Sequence, residues 1–312
     1  MKIILSFDVE GDFHKYLHSP YIWHKLEKLP NGNQYTYSKS KINAFRNYFK
    51  WRLNNLVKPY ASGSQGLKRV IEFLENEDIP ASFAICGYLY MKNKQKIDLS
   101  MPWSILRLKK NHYFWKDKYP ENFDFSKIIL AHNKNKNFDF GLHGFVHEAF
   151  PLETSETMDK ILKLSRSSAK ELGINLKTFV PPFNMAFNNN LKEVITLLRK
   201  NNFSCLRFIG EDNFFSTFKH EPASKEIQKI GGVNMVYLSA SLEGNFNEKK
   251  VLKVISKIKE AYNSDKNNKN KVFCIMSHDY TFENTRVLEL FAEEIKKLQK
   301  DYNLEFTNLA KL

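Results

Sequence analysis

Short apolar stretches alternate with amphipathic ones along most of this chain, and that rhythm restricts its fold more than any other feature. Residues 2–9 (KIILSFDV), 80–87, 138–143, 204–209, 233–240, 272–276 and 304–307 read as strands. Between them, residues 64–76, 155–172, 191–200, 248–262 and 284–301 carry apolar side chains at helical spacing, as Leu67, Val70, Ile71 and Leu74 do behind a capping Ser64. About seven strand-then-helix units in one chain imply a parallel sheet, and that many favour closure into a barrel. The expected architecture is therefore α/β, a barrel of the (β/α)7 type, formed by one domain over residues 1–312. Two stretches interrupt the rhythm, about 13–61 and 92–136. Both are rich in aromatic and basic residues (Tyr16, Trp23, Trp51, Trp103, Trp115), and both fall where a barrel places loops after its strands. They read as insertions that shape a substrate site or cover another surface.

Composition narrows the class. With 42% hydrophobic and 26% charged residues, the chain has material for a large core, which excludes wholesale disorder. There is no run of eighteen apolar residues, so a transmembrane helix is not expected. Asp8 interrupts the first apolar stretch, so no secretory signal is read there. Cys86, Cys205 and Cys274 stand apart, each in an apolar run, and read as buried thiols of a cytoplasmic protein. The formal net charge of +14 comes mostly from scattered lysines without an Arg-rich run. Nucleic-acid binding is thus not expected, whereas attraction to anionic sugars is compatible with the charge.

Three polar clusters close predicted strands. Asp8-Val9-Glu10-Gly11-Asp12 places three carboxylates in five residues, and strand alternation puts Asp8 and Glu10 on one face. His143-Gly144-Phe145-Val146-His147-Glu148 has two histidines four apart, which can meet one divalent ion if a helical turn begins there. Met276-Ser277-His278-Asp279 ends a strand on a histidine followed by an acid that can orient it. Two histidines and a carboxylate with open positions form a catalytic coordination set, not a closed structural one. Together the clusters describe metal-assisted hydrolysis, in which one carboxylate takes a proton from water and His278 protonates the leaving amine or alcohol.

The order of these motifs, with Pro80-Ala81-Ser82-Phe83-Ala84-Ile85, Val180-Pro181-Pro182-Phe183-Asn184 and the closing Leu304-Glu305-Phe306-Thr307, resembles the polysaccharide deacetylases. This is the NodB-homology group, carbohydrate esterase family four. The resemblance runs from residue 2 to the end, apart from the two insertions. It implies a distorted barrel of about seven strands holding one divalent metal ion, with zinc the first choice, and removal of N- or O-linked acetyl groups from sugars.

Carried over by position, Asp8 matches the catalytic base and His278 the catalytic acid, while His143 and His147 match metal ligands. Val9 stands where the common motif has a second aspartate, which makes Glu10 the third ligand and Asp12 its alternative. Pro182, Asn184 and Asp279 are expected on the substrate side. Val180 replaces the arginine that usually accompanies the base, a place that another cation such as Arg207 can take. The implied partner is an acetylated sugar, sugar nucleotide or glycan precursor of surface polysaccharide synthesis, and the oligomeric state is left open. Competing readings are hydrolysis of a non-sugar C–N bond, as in allantoinase-like relatives, and an inactive glycan-binding barrel.

Overall fold

The computed structural model describes residues 1–10, 63–92, 125–148, 150, 153–182, 188–208, 224–242, 247–264, 268, 270–283 and 285–312. Asp12, Asn184 and residues 13–61, and 93–124 of the second expected insertion, lie outside them. In chain order the elements are β1 (Lys2–Val9), α1 (Gly63–Asn76), β2 (Ala81–Ile85), α2 (Ser126–His132), β3 (Phe138–Leu142), α3 (Ser155–Lys170), β4 (Thr178–Phe179), α4 (Asn188–Lys200) and β5 (Cys205–Phe208). Then come β6 (Lys225–Glu226), β7 (Gln228–Ile230), β8 (Val233–Ser241), α5 (Glu248–Ser264), β9 (Lys271–His278), α6 (Thr285–Asp301) and β10 (Glu305–Thr307).

Seven parallel strands close on themselves in the order β1-β2-β3-β4-β5-β8-β9 and back to β1, so the expected barrel is present. Its distortion lies at β1. Lys2–Ile4 pair with β10, and only from Leu5 onward does the strand pair with β2, so the last strand fills the lower part of that seam. Three features were not expected from the sequence: the two-residue barrel strand β4, the short helix α2, inside the 92–136 stretch, and the small antiparallel strands β6 and β7 on β9 and β8.

Strand alternation sorts the side chains into two apolar bodies. Ile3, Leu5, Phe7 and Val9 point outward to the helices, while Ile4 faces an interior cluster with Ala84, Val180, Cys205, Val236 and Cys274. Outside, Phe7, Phe83 and Phe140 are register partners across β1, β2 and β3, with centroids 5.4 Å and 5.7 Å apart on either side of Phe83. Leu67, Val70 and Ile71 of α1 belong to the same cluster. Helix α3 begins where the Thr154 side chain accepts from the Thr157 amide, and it buries Met158, Ile161 and Leu162. The three cysteines are free and buried, as expected.

One acid is buried in the lower barrel. Burial pushes the Asp139 carboxyl from 3.8 up to about 6, against the opposing pull of the Thr178 and Ser82 hydroxyls and of Lys177. Its Oδ2 has no hydrogen-bond partner among the described residues. Because the folded value is raised, the native state holds this proton more tightly than the unfolded chain does. Stability is therefore fully present below the unfolded value and declines as pH rises toward the folded one. A shift of this size corresponds to roughly 3 kcal/mol. Asp139→Asn is expected to stabilise the protein by about 1–3 kcal/mol at pH 8, with the gain shrinking toward pH 4. Urea unfolding at several pH values checks this, and a gain independent of pH contradicts it.

Candidate active site

The polar residues predicted from three strand ends meet at one end of the barrel. In the β1–β9 ladder Asp8 lies opposite His278, and His143 follows β3, two strands away on the other side of β1. All are buried, as is Glu10 just past the end of β1. Glu10 Oε1 is 3.0 Å from His147 Nε2, 3.1 Å from His278 Nε2 and 3.6 Å from His143 Nε2. One carboxylate oxygen thus faces three imidazole nitrogens, two of them within hydrogen-bond distance.

The two histidines of the spaced pair come together, their ring centroids 4.8 Å apart, but not by the helical turn that their spacing allowed. Residues 144–146 form a tight turn instead, in which Gly144 has φ +68° and His147 φ +61°. A left-handed histidine is an outlier that costs on the order of 1–3 kcal/mol and persists only where its surroundings enforce it. A Cβ at Gly144 would come within 2.7 Å of the Pro182 ring, so glycine serves both the backbone angle and the packing. This also places Pro182: it packs on the 144–146 turn.

His143 is oriented from behind. Its Nδ1 donates to the Val180 carbonyl at 2.9 Å. Since a carbonyl only accepts, the proton sits on Nδ1 and the Nε2 lone pair is left for a ligand. Val180, the residue in place of the expected arginine, supplies that carbonyl and buries its side chain in the interior cluster.

The missing cation is found two positions along the barrel wall from β3. Arg207 of β5 is fully buried, and its guanidinium donates to Asp8 Oδ2 and to Ser6 Oγ, each at 2.7 Å. Burial alone would raise the Asp8 carboxyl, but Arg207 with His143 and His278 outweighs it and holds the group below its ordinary value. Asp8 Oδ1 has no hydrogen-bond partner among the described residues, so one oxygen is anchored and the other is available. For Glu10, burial again acts upward, and His147, His278 and His143 together hold the carboxyl well below its usual range. Burial lowers His147 despite the nearby Glu10, which favours the neutral ring that ligates.

The donor set fits a divalent ion. The ligand atoms of Glu10, His143 and His147 all lie within 4.8 Å of one another, and two imidazoles with one carboxylate would leave coordination positions open. Asp279 is buried at the start of the 3-10 turn Asp279–Glu283, and the His278 amide donates to Thr281 Oγ1 at 3.3 Å.

Comparison with solved structures recovers the same architecture. A candidate polysaccharide deacetylase from Mycobacterium smegmatis superposes with a TM-score of 0.58, covering 99% of this chain and 87% of that one at 12% identity. The fold is that of the polysaccharide deacetylases. PuuE allantoinase shares this deacetylase fold at a TM-score of 0.55, 12% identity and coverage of 99% and 88%. So does a variant of a Bacillus anthracis carbohydrate esterase family four pseudoenzyme with restored enzymatic activity, at 0.50, 12% identity and coverage of 100% and 66%. No family model and no curated protein matches the sequence itself.

Sequence reasoning placed Asp8, Glu10, His143, His147 and His278 together, and they are together. It raised Arg207 only as a substitute cation. The available signal was an arginine at an inward position of a strand otherwise made of Cys205, Leu206 and Phe208. Glu148 was noted in the motif without a role. Its carboxylate is buried and accepts from the Phe145 and Val146 amides.

Proposed function

We propose that this chain is a metal-dependent hydrolase that removes an N- or O-linked acetyl group from a sugar or glycan precursor. The observation that carries this reading is the convergence of Glu10, His143 and His147 beside an Arg207-anchored Asp8 and His278. Glu10, His143 and His147 would hold one divalent ion, zinc before others, with Asp12 as an alternative ligand. Bound there, the ion would supply Lewis acidity, lowering the pKa of a water and polarising the acyl carbonyl.

The chain's own residues divide the proton work. Asp8, kept ionised by Arg207, offers its unpartnered Oδ1 to the proton of the attacking water. His278, on the adjoining strand, donates a proton to the departing amine or alcohol. Arg207, itself anchored on Ser6 Oγ, keeps the base from rotating, so its other oxygen stays in place. Pro182, Asn184 and Asp279 would border the substrate. No helix among the described residues is long and apolar enough to cross a membrane. We place the enzyme in the cytoplasm, acting on a sugar nucleotide or glycan intermediate, because its basic character suits phosphate-bearing sugars. The expected one-domain organisation, with insertions at about 13–61 and 92–136, belongs to the same proposal.

The likeness to PuuE allantoinase favours a second reading, hydrolysis of a non-sugar C–N bond by the same residues. The test is elemental analysis of the purified protein together with acetate release from N- and O-acetylated sugar nucleotides and oligosaccharides. About one divalent ion per chain and acetate release support the proposal. Metal with turnover of cyclic ureides but no acetate supports the second reading. Protein that takes up no metal after divalent ions are added back is an inactive barrel, and both readings fail.

A further inference from the structure

The metal reading explains the Nε2 atoms of His143 and His147, but it does not explain how a left-handed histidine is kept in place. The turn before His147 points its amides inward onto one side chain. Phe145 N donates to Glu148 Oε1 at 2.8 Å and to Oε2 at 2.9 Å, and Val146 N donates to Oε2 at 2.8 Å. Glu148 is itself buried. Its Oε2 lies 3.1 Å from where a Cβ on Gly144 would sit, so the missing side chain of Gly144 leaves room for the carboxylate under the turn. Gly144, Glu148 and the two amides form one unit, a concave set of backbone donors closed by an anion from the same loop.

We infer that Glu148 is a positioning residue for the metal site: its carboxylate holds the 144–147 turn closed and so fixes where His147 presents Nε2. The inference rests on the proposed metal site, and it adds a residue that touches neither ion nor substrate. Without Glu148 the two amides lose their acceptor in a buried place, and the left-handed backbone at His147 loses the bonds beside it. Partners of this kind behind a ligand change metal affinity by about 10- to 100-fold when removed.

Glu148→Ala and Glu148→Gln separate holding from simple charge attraction. Both remove the negative charge, but Gln keeps one acceptor oxygen for the amides and nearly the same shape. Zinc dissociation constants, measured by competition with a chromophoric chelator, are expected to rise about 10- to 100-fold for Glu148→Ala. Glu148→Gln should stay much closer to the wild type. In metal-free protein, hydrogen exchange at the Phe145 and Val146 amides should accelerate in the Ala variant and far less in the Gln variant. Equal losses of affinity in the two variants, or an Ala variant that binds like the wild type, overturns the inference. Thermal unfolding monitors the fold, and if the Ala variant does not fold, the Gln affinity and amide protection decide alone. Wild-type protein that takes up no zinc overturns the metal reading itself, and amide exchange then decides separately whether Glu148 holds the turn.

Discussion

Replacing His143 and His147 together by Ala is expected to leave a folded protein that retains no stoichiometric metal and shows no measurable turnover. The three donor atoms near the end of the barrel come from Glu10, His143 and His147, and the double variant leaves only the carboxylate. Lewis-acid stabilisation contributes several kcal/mol to reactions of this kind, and each 1.36 kcal/mol is tenfold in rate. A fall in kcat/KM of about 10³-fold or more is therefore expected. His147→Ala leaves a non-glycine residue at φ +61°, so thermal unfolding of the metal-free variant reports any cost at the turn separately from the loss of metal. Metal content and turnover measured on the same preparations check both statements. Full activity in a metal-free variant would be fatal to the proposed mechanism.

Asp8→Asn tests the other half of the site. The variant keeps an oxygen for Arg207 to bond and does not touch the metal donors, so metal content should match the wild type. Turnover should fall by about 10²- to 10⁴-fold, the usual contribution of a positioned base. The Arg207 contact makes the result more informative. With Asp8 neutral, a fully buried guanidinium loses its anionic partner, and breaking such a pair costs about 3–5 kcal/mol when nothing replaces it. The retained amide oxygen should reduce that cost, so Asp8→Asn is expected to be less destabilising than Asp8→Ala while being about as inactive. Metal titration, kcat and urea unfolding on both variants separate base chemistry from pair stability. An Asn variant with wild-type turnover would remove Asp8 from the reaction.

The barrel was readable because strand burial writes itself into sequence. Strands such as β1 and β9 are covered on both faces and appear as near-continuous apolar runs, and the helices between them show their buried stripe at helical spacing. What was not readable depends on contacts rather than local pattern. Helix α2 is only seven residues long, SKIILAH, and is preceded by an aromatic, lysine-rich stretch that hides its boundary. β6 and β7 are exposed and held by pairing with β9 and β8, so no apolar alternation announces them. At the site, residue identity and order were enough to select Asp8, Glu10, His143, His147 and His278. The conformation joining the two histidines was not legible. A spacing of four suits a helix, and only the Gly144–Pro182 contact and the Glu148 carboxylate explain why the backbone turns the other way. The cation beside Asp8 likewise comes from β5, where nothing in local sequence says which carboxylate an inward arginine will meet.

The closure of β1 against β9 also determines when the site can come into being. Asp8 precedes its register partner His278 by 270 residues, and the lower seam waits for β10, later still in the chain. A chain still lacking β9 therefore holds Asp8 and Glu10 at the end of a strand that can pair with β2 on one side and is open on the other. Pairings between such distant segments are slow to form, and an open strand edge invites association with other chains. The last committed event of folding would be the docking of residues 271–307, which completes the barrel and brings His278 to Asp8 and Glu10 in one step.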